Sequence, residues 1–154
     1  MDAPILIHAT TVAIDGKAVL LRGASGAGKS DLGLRLIDAG AILVADDQSE
    51  LRRVGPSILV RAPDTILGLL EVRGLGIVRL APLSDAPLGL IADLVPPDQV
   101  ERHPLARNES ILGVDVRAVA IAPFEASAPA KLRAALRTPP DPEAGPDAGP
   151  IRHA

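Results

Sequence analysis

The chain has 154 residues, a formal net charge of -3, one Phe, and no Trp, Tyr or Cys. That length suits a single compact domain with a core of Leu, Ile, Val and Ala. The composition disfavours stacking on single-stranded nucleic acid and binding to polyanions, and it excludes a disulfide framework, a thiol nucleophile and a Cys-ligated zinc.

Met1 to Thr10 has no basic flank before its short apolar run, which argues against a signal peptide. Charges and prolines interrupt every apolar run before the ~20 residues a membrane helix needs. A cytoplasmic protein is expected. Ile5 to Ile14 is β-rich, and Asp15-Gly16 is a strong hairpin signal. Ala18 to Leu21 reads as a short buried strand and runs directly into the glycine-rich stretch 23–28. Lys29 to Asp38 has helical spacing, with Leu32, Leu36 and Ile37 on one side and Gly40 as a stop. Ala41 to Ala45 reads as a second buried strand ending at Asp46-Asp47.

Leu51 to Val54 and Ile58 to Val60 flank Gly55-Pro56 and suggest another hairpin. Ile66 to Leu70 is apolar, and residues 71–76 break the pattern with charge and glycine. Ile77 to Leu80, Leu88 to Leu94 and Val116 to Ala122 read as strands, Pro96 to Asn108 as a loop and Pro129 to Leu136 as a short helix. From Thr138 onward Pro, Gly, Asp and Ala dominate without periodicity. Such a tail buries too little apolar surface to offset its ordering entropy, so disorder is expected over 138–154 and one domain over 1–137.

Gly23-Ala24-Ser25-Gly26-Ala27-Gly28-Lys29-Ser30 fits the P-loop (Walker A) pattern G-x-x-x-x-G-K-[ST] at every defined position. The glycines let backbone N–H groups wrap phosphate oxygens, and the helix that follows turns its positive end to the same anion. Lys29 reaches the β- and γ-phosphates, and the Ser30 hydroxyl suits Mg²⁺, a hard cation that prefers oxygen. A chance glycine-rich turn is the alternative. The preceding strand and following helix favour an ATP- and magnesium-binding loop.

Such a loop works with an acid at the end of a neighbouring strand, and Asp46 and Asp47 both stand there. Successive strand residues point to opposite faces, so only one is expected to face the loop. A solvated strand end is the alternative. Glu71 is a candidate second magnesium ligand or a surface charge, and Arg73 a phosphate clamp or a partner for Glu71. His8 interrupts an apolar strand, where a structural role is the alternative. His103 and His153 carry no site signal, and no pair of His has metal-ligand spacing.

Four segments together resemble the C-terminal catalytic domain of HPr kinase/phosphorylase. They are the His8 strand, the P-loop through Ser30, Leu43-Val44-Ala45-Asp46-Asp47, and Leu70-Glu71-Val72-Arg73-Gly74-Leu75-Gly76-Ile77. The last is similar to that family's Glu-Ile-Arg-Gly-Leu-Gly run. The resemblance covers His8 to Ile77 well and weakens beyond. It implies an α/β fold: a P-loop nucleotide-binding domain with a strand-rich mixed sheet, phosphoenolpyruvate-carboxykinase-like. The implied activity is ATP- and Mg²⁺-dependent phosphorylation of a serine on HPr or a related phosphocarrier of the phosphotransferase system, with a possible reverse phosphorolysis.

Carried onto this chain, the resemblance makes Asp46 the catalytic acid/base, hydrogen-bonded by His8 and assisted by Asp47. Ser30 and Glu71 hold magnesium, and Lys29 neutralises phosphate charge. Leu105-Ala106-Arg107-Asn108 stands loosely where the family has Pro-Gly-Arg-Asn, with Arg107 as its phosphate contact. The resemblance further implies a short form that begins at the catalytic domain, and a homo-oligomer, hexameric in the family. Two rivals stand beside the kinase: a non-catalytic module that senses ATP or phosphate, and a small-molecule kinase. The second would need an Arg-rich lid, and residues 95–108 hold only Arg102 and Arg107.

Overall fold

The computed structural model describes residues 3–138. Eleven strands and two α-helices follow one another: β1 (Ile5–His8), β2 (Thr10–Ile14), β3 (Lys17–Arg22), α1 (Lys29–Asp38), β4 (Ile42–Ala45), β5 (Gln48–Val54), β6 (Ser57–Arg61), β7 (Leu69–Val72), β8 (Gly76–Arg79), β9 (Ala86–Leu94), β10 (Arg107–Ile111), β11 (Val114–Ile121) and α2 (Ala128–Arg137). The result is the expected α/β class with a strand-rich mixed sheet. Of the tail expected to be disordered, 138–154, only Thr138 lies within the described residues.

Local chemistry explains the joints. Asp15 and Gly16 have φ of 53° and 78°, the left-handed pair that a two-residue hairpin between β2 and β3 requires. Gly40, at φ 110°, closes α1: its N–H reaches Ile37 O and the Ala41 N–H reaches Leu36 O, which satisfies the last carbonyls. Leu112 and Gly113 form a similar left-handed pair between β10 and β11. Leucine is not a turn residue by composition, and β10 is polar, so this hairpin has no sequence signal and part of it falls in the expected loop.

Nine strands form one sheet in which β1-β5-β6-β9-β3-β2-β4 are neighbours and β11 joins β9 on a branch with β10. β3 pairs parallel with β9, and β9 with β11. β2 is antiparallel to both β3 and β4, so β4 runs in the same direction as β3. The carboxyl ends of β4, β3, β9 and β11 therefore lie along one rim, where open α/β sheets gather their ligands.

Alternation along the strands splits the core. Ala18, Leu20, Val44, Leu51 and Ile91 pack on one face. Val19, Leu21, Leu90 and Ala92 pack on the other, under Leu32 and Leu36 of α1 and Leu132 of α2. The three helical leucines are fully buried, and each contributes roughly 1.5–3 kcal/mol of apolar burial. β7 and β8 form a separate hairpin whose inner residues, Leu70 and Val72, pack against Leu43 of β4 and against Leu34 and Ile37 of α1. That packing holds the hairpin beside the rim.

Candidate functional site

The glycine-rich loop leaves β3 at Gly23 and enters α1 at Lys29. Gly28, at φ 97°, makes the last turn into the helix in a conformation that side chains resist. The Lys29 ammonium is held by the loop itself, donating to the carbonyls of Gly23 and Ala24 at 2.9 Å each. With only 8% of its surface exposed, this charge is costly to bury unless fully hydrogen-bonded. It sits poised over the loop rather than in solvent.

The two acids follow β4 and part at once. Asp46 is buried, and three donors from three elements converge on it. Ser30 Oγ donates to Oδ1 at 2.7 Å, Thr10 Oγ1 to the same oxygen at 2.8 Å, and the Glu71 backbone N–H to Oδ2 at 3.0 Å. Asp47 has φ 68°. This left-handed turn breaks strand alternation and swings its carboxylate into the open, where 69% of the side chain is exposed. The Ala9 N–H donates to Asp47 O at 3.1 Å and holds the turn. His8 Nε2 then donates to Asp47 Oδ1 at 2.9 Å.

The expected His8–Asp46 bond is thus corrected: His8 bonds Asp47. The reason is geometric, because the left-handed residue carries Asp47 toward the end of β1 while Asp46 is occupied from the other side. The expectation that only one acid faces the loop is corrected by the same turn. Asp46 reaches the loop through Ser30, and Asp47 lines the cleft in front of it.

The cleft has a volume of about 510 Å³. His8, Asp47, Lys29, Ser30 and Glu71 line it, with Phe124 beside Gly28. Ser25, Gly26, Gly28, Thr10 and Arg73 also line it, whereas Gly23, Ala24 and Ala27 complete the loop from behind. Glu71 and Arg73 arrive on the β7–β8 hairpin and its turn. The oxygen donors Ser30, Asp46, Asp47 and Glu71 are of the hard type. Among the described residues no ready-made group of three or more His or acidic side chains surrounds a point.

Arg107 lies elsewhere. It donates to Asp93 Oδ2 at 2.7 Å and does not line the cleft. Asp93, near the carboxyl end of β9, also accepts from Arg22 Nε at 2.8 Å, and Arg22 grips Glu109 with both terminal nitrogens at 2.6 and 2.7 Å. The Arg22 guanidinium holds the Glu109 carboxyl below the usual carboxylate range, and the two carboxylates raise the guanidinium further.

Thr10 and Phe124 carry no role in the sequence reading. Two adjacent threonines inside an apolar strand are the available signal for the first. For the second, the signal is that the chain's one aromatic residue lies outside any apolar pattern.

A glycine loop at the carboxyl rim of a mixed sheet, with a buried acid on its Ser and an exposed acid beside it, defines the site as that of an α/β domain. The comparisons narrow the class. The family model described as "HPr Serine kinase C-terminal domain" matches residues 2–84, and the chain belongs to that family. The HPr kinase/phosphorylase of Variovorax paradoxus is 38% identical over 130 residues, covering 75% of this chain and 40% of that protein. That of Burkholderia lata is 39% identical over 126 residues, covering 75% and 39%. The chain therefore spans about 40% of the length of these curated relatives. The solved Hpr(Ser) kinase/phosphatase from Coxiella burnetii superposes with a TM-score of 0.74 at 29% identity, covering 83% of this chain and 91% of that one. No helix among the described residues is long and apolar enough to cross a membrane.

Proposed function

We propose that this chain binds ATP and Mg²⁺ on the loop 23–30 and transfers the terminal phosphoryl group to a serine of HPr or a related phosphocarrier. The observation that carries the reading is Asp47. It is an exposed carboxylate, oriented by His8 and opening into the same cleft as Lys29 and Ser30. The nucleotide fold is read as phosphoenolpyruvate-carboxykinase-like, in keeping with the strand-rich sheet.

Asp47 takes the acid/base role that the resemblance gives to Asp46. It accepts the serine proton as the hydroxyl oxygen bonds to the γ-phosphorus and ADP leaves. In phosphorolysis it returns that proton to the departing serine oxygen while inorganic phosphate takes up the phosphoryl group and leaves as pyrophosphate. His8 keeps the carboxylate aimed at the cleft. Asp46 is unsuited to the task, since three donors already occupy it. It fixes the Ser30 hydroxyl instead. Ser30 and Glu71, with Asp46 behind them, would hold magnesium, which supplies charge neutralisation on the phosphates. Lys29 exchanges the Gly23 and Ala24 carbonyls for phosphate oxygens, and the backbone N–H groups of the loop orient the chain of phosphates.

Purified protein is mixed with HPr-type carriers, Mg²⁺ and γ-labelled ATP. Acid-stable label on the carrier, lost in Lys29→Ala and Asp47→Asn, is the expected result. ATP binding without transfer to any carrier overturns the kinase reading in favour of a non-catalytic sensor.

A further inference from the structure

Phe124 is the only aromatic residue of the chain, and it is kept out of a core built wholly from aliphatic side chains. At 71% exposure it lines the cleft beside Gly28. A ring that could bury a large apolar surface is left in water at the edge of the cleft.

The ring is held in place. Phe124 follows β11, and the loop around it is tied to α1 by Arg35, whose guanidinium donates to the Pro123 and Glu125 carbonyls. Its tip touches the phosphate loop: a Cβ added to Gly28 would lie 2.8 Å from Cζ and 3.0 Å from Cε1. The tip of the ring therefore meets the loop backbone, at a distance only glycine allows, while most of the residue stays open.

The sheet order supplies direction. Along the rim the order is β4, β2, β3, β9, β11. Asp46 and Asp47, after β4, mark the end where metal and terminal phosphate gather. Phe124, after β11, lies on the opposite side of the loop strand. A nucleotide with its phosphates on residues 23–30 and its γ-phosphate toward Asp47 would extend its nucleoside toward Phe124.

We infer that Phe124 is the base platform of the nucleotide site, stacking one face of its ring on the purine of the bound triphosphate. This rests on the loop being a nucleotide site, as proposed above. Stacking is tolerant of base identity because every base has a π-face. The platform therefore contributes affinity without choosing strictly between purines.

The experiment separates the base from the phosphates. The chain has no Trp or Tyr, so Phe124→Trp carries a single fluorophore at the platform. MgATP should change its emission, and magnesium tripolyphosphate at saturation should not. In calorimetry, Phe124→Leu should bind MgATP about tenfold more weakly and tripolyphosphate as the parent protein does. Unchanged ATP affinity, or an equal loss for both ligands, overturns the platform while leaving the phosphate site intact. Failure of the parent protein to bind either ligand overturns the nucleotide reading and the platform with it.

Discussion

Two acid clusters sit on the same rim of the same sheet, and they are built in opposite ways. After β4, Asp46 and Asp47 receive hydroxyl, backbone and imidazole donors, and a cleft opens in front of them. Near the end of β9, Asp93 pairs with Arg22 and Arg107 while Glu109 pairs with Arg22, so two carboxylates face two guanidiniums and the charge closes on itself. Neutral donors orient a carboxylate without cancelling its charge, which leaves it free to meet a cation or a proton. Bidentate arginines orient it and cancel it together. The first cluster is equipped for chemistry, and the second ties β3, β9 and β10 together beneath the loop.

The largest expected effect breaks the first cluster. Asn tolerates the left-handed turn at position 47, so Asp47→Asn keeps the backbone while removing the base. Single-turnover phosphoryl transfer should fall by about 10²–10⁴-fold, with ATP affinity within about twofold by calorimetry (a change under ~0.4 kcal/mol). A parallel fall in ATP affinity would assign Asp47 to nucleotide binding.

The second cluster should answer in stability. Arg22→Met strands Glu109 partly out of water and leaves Asp93 with Arg107 alone, and urea unfolding should report a loss of about 2 kcal/mol. An unchanged denaturation midpoint would mean that the carboxylates find water instead.

Arg107 sharpens the contrast, since family resemblance points to phosphate and its geometry points to Asp93. Its side chain is 54% exposed, and an exposed ion pair contributes about 0–1 kcal/mol. Arg107→Met should therefore move stability by less than about 1 kcal/mol. It should leave forward transfer and phosphorolysis near the parent rates. A selective loss of phosphorolysis would return Arg107 to the phosphate role.

The smallest effect is in pH. Glu109 has its pKa lowered by Arg22. Its contribution to stability is present above the ordinary glutamate range and is lost as pH falls below that range through the lowered value. Because the group is 38% exposed, the effect is modest. Acid unfolding of Glu109→Gln should show a shallower slope in that window than the parent, and equal slopes would remove the assignment.

The loop 23–30 was legible from sequence because a phosphate cradle is contiguous: its glycines, Lys29 and Ser30 act through neighbours in the chain. The hairpin at Asp15-Gly16 and the end of α1 at Gly40 were legible for the same reason, since backbone sterics act locally. β10 was hidden because its turn uses Leu112, which no propensity marks. The different surroundings of Asp46 and Asp47 were decided only by the tertiary structure. They depend on one positive φ and on donors from β1, β2, α1 and β7, residues far apart in sequence. The same is true of Arg107, whose destination was set by β9 and β11 pairing side by side, and of Phe124, which meets Gly28 only because β11 ends on the loop's own rim. Local spacing determines what a segment can bind, and through-space packing determines which of two identical carboxylates is buried and which opens into the cleft.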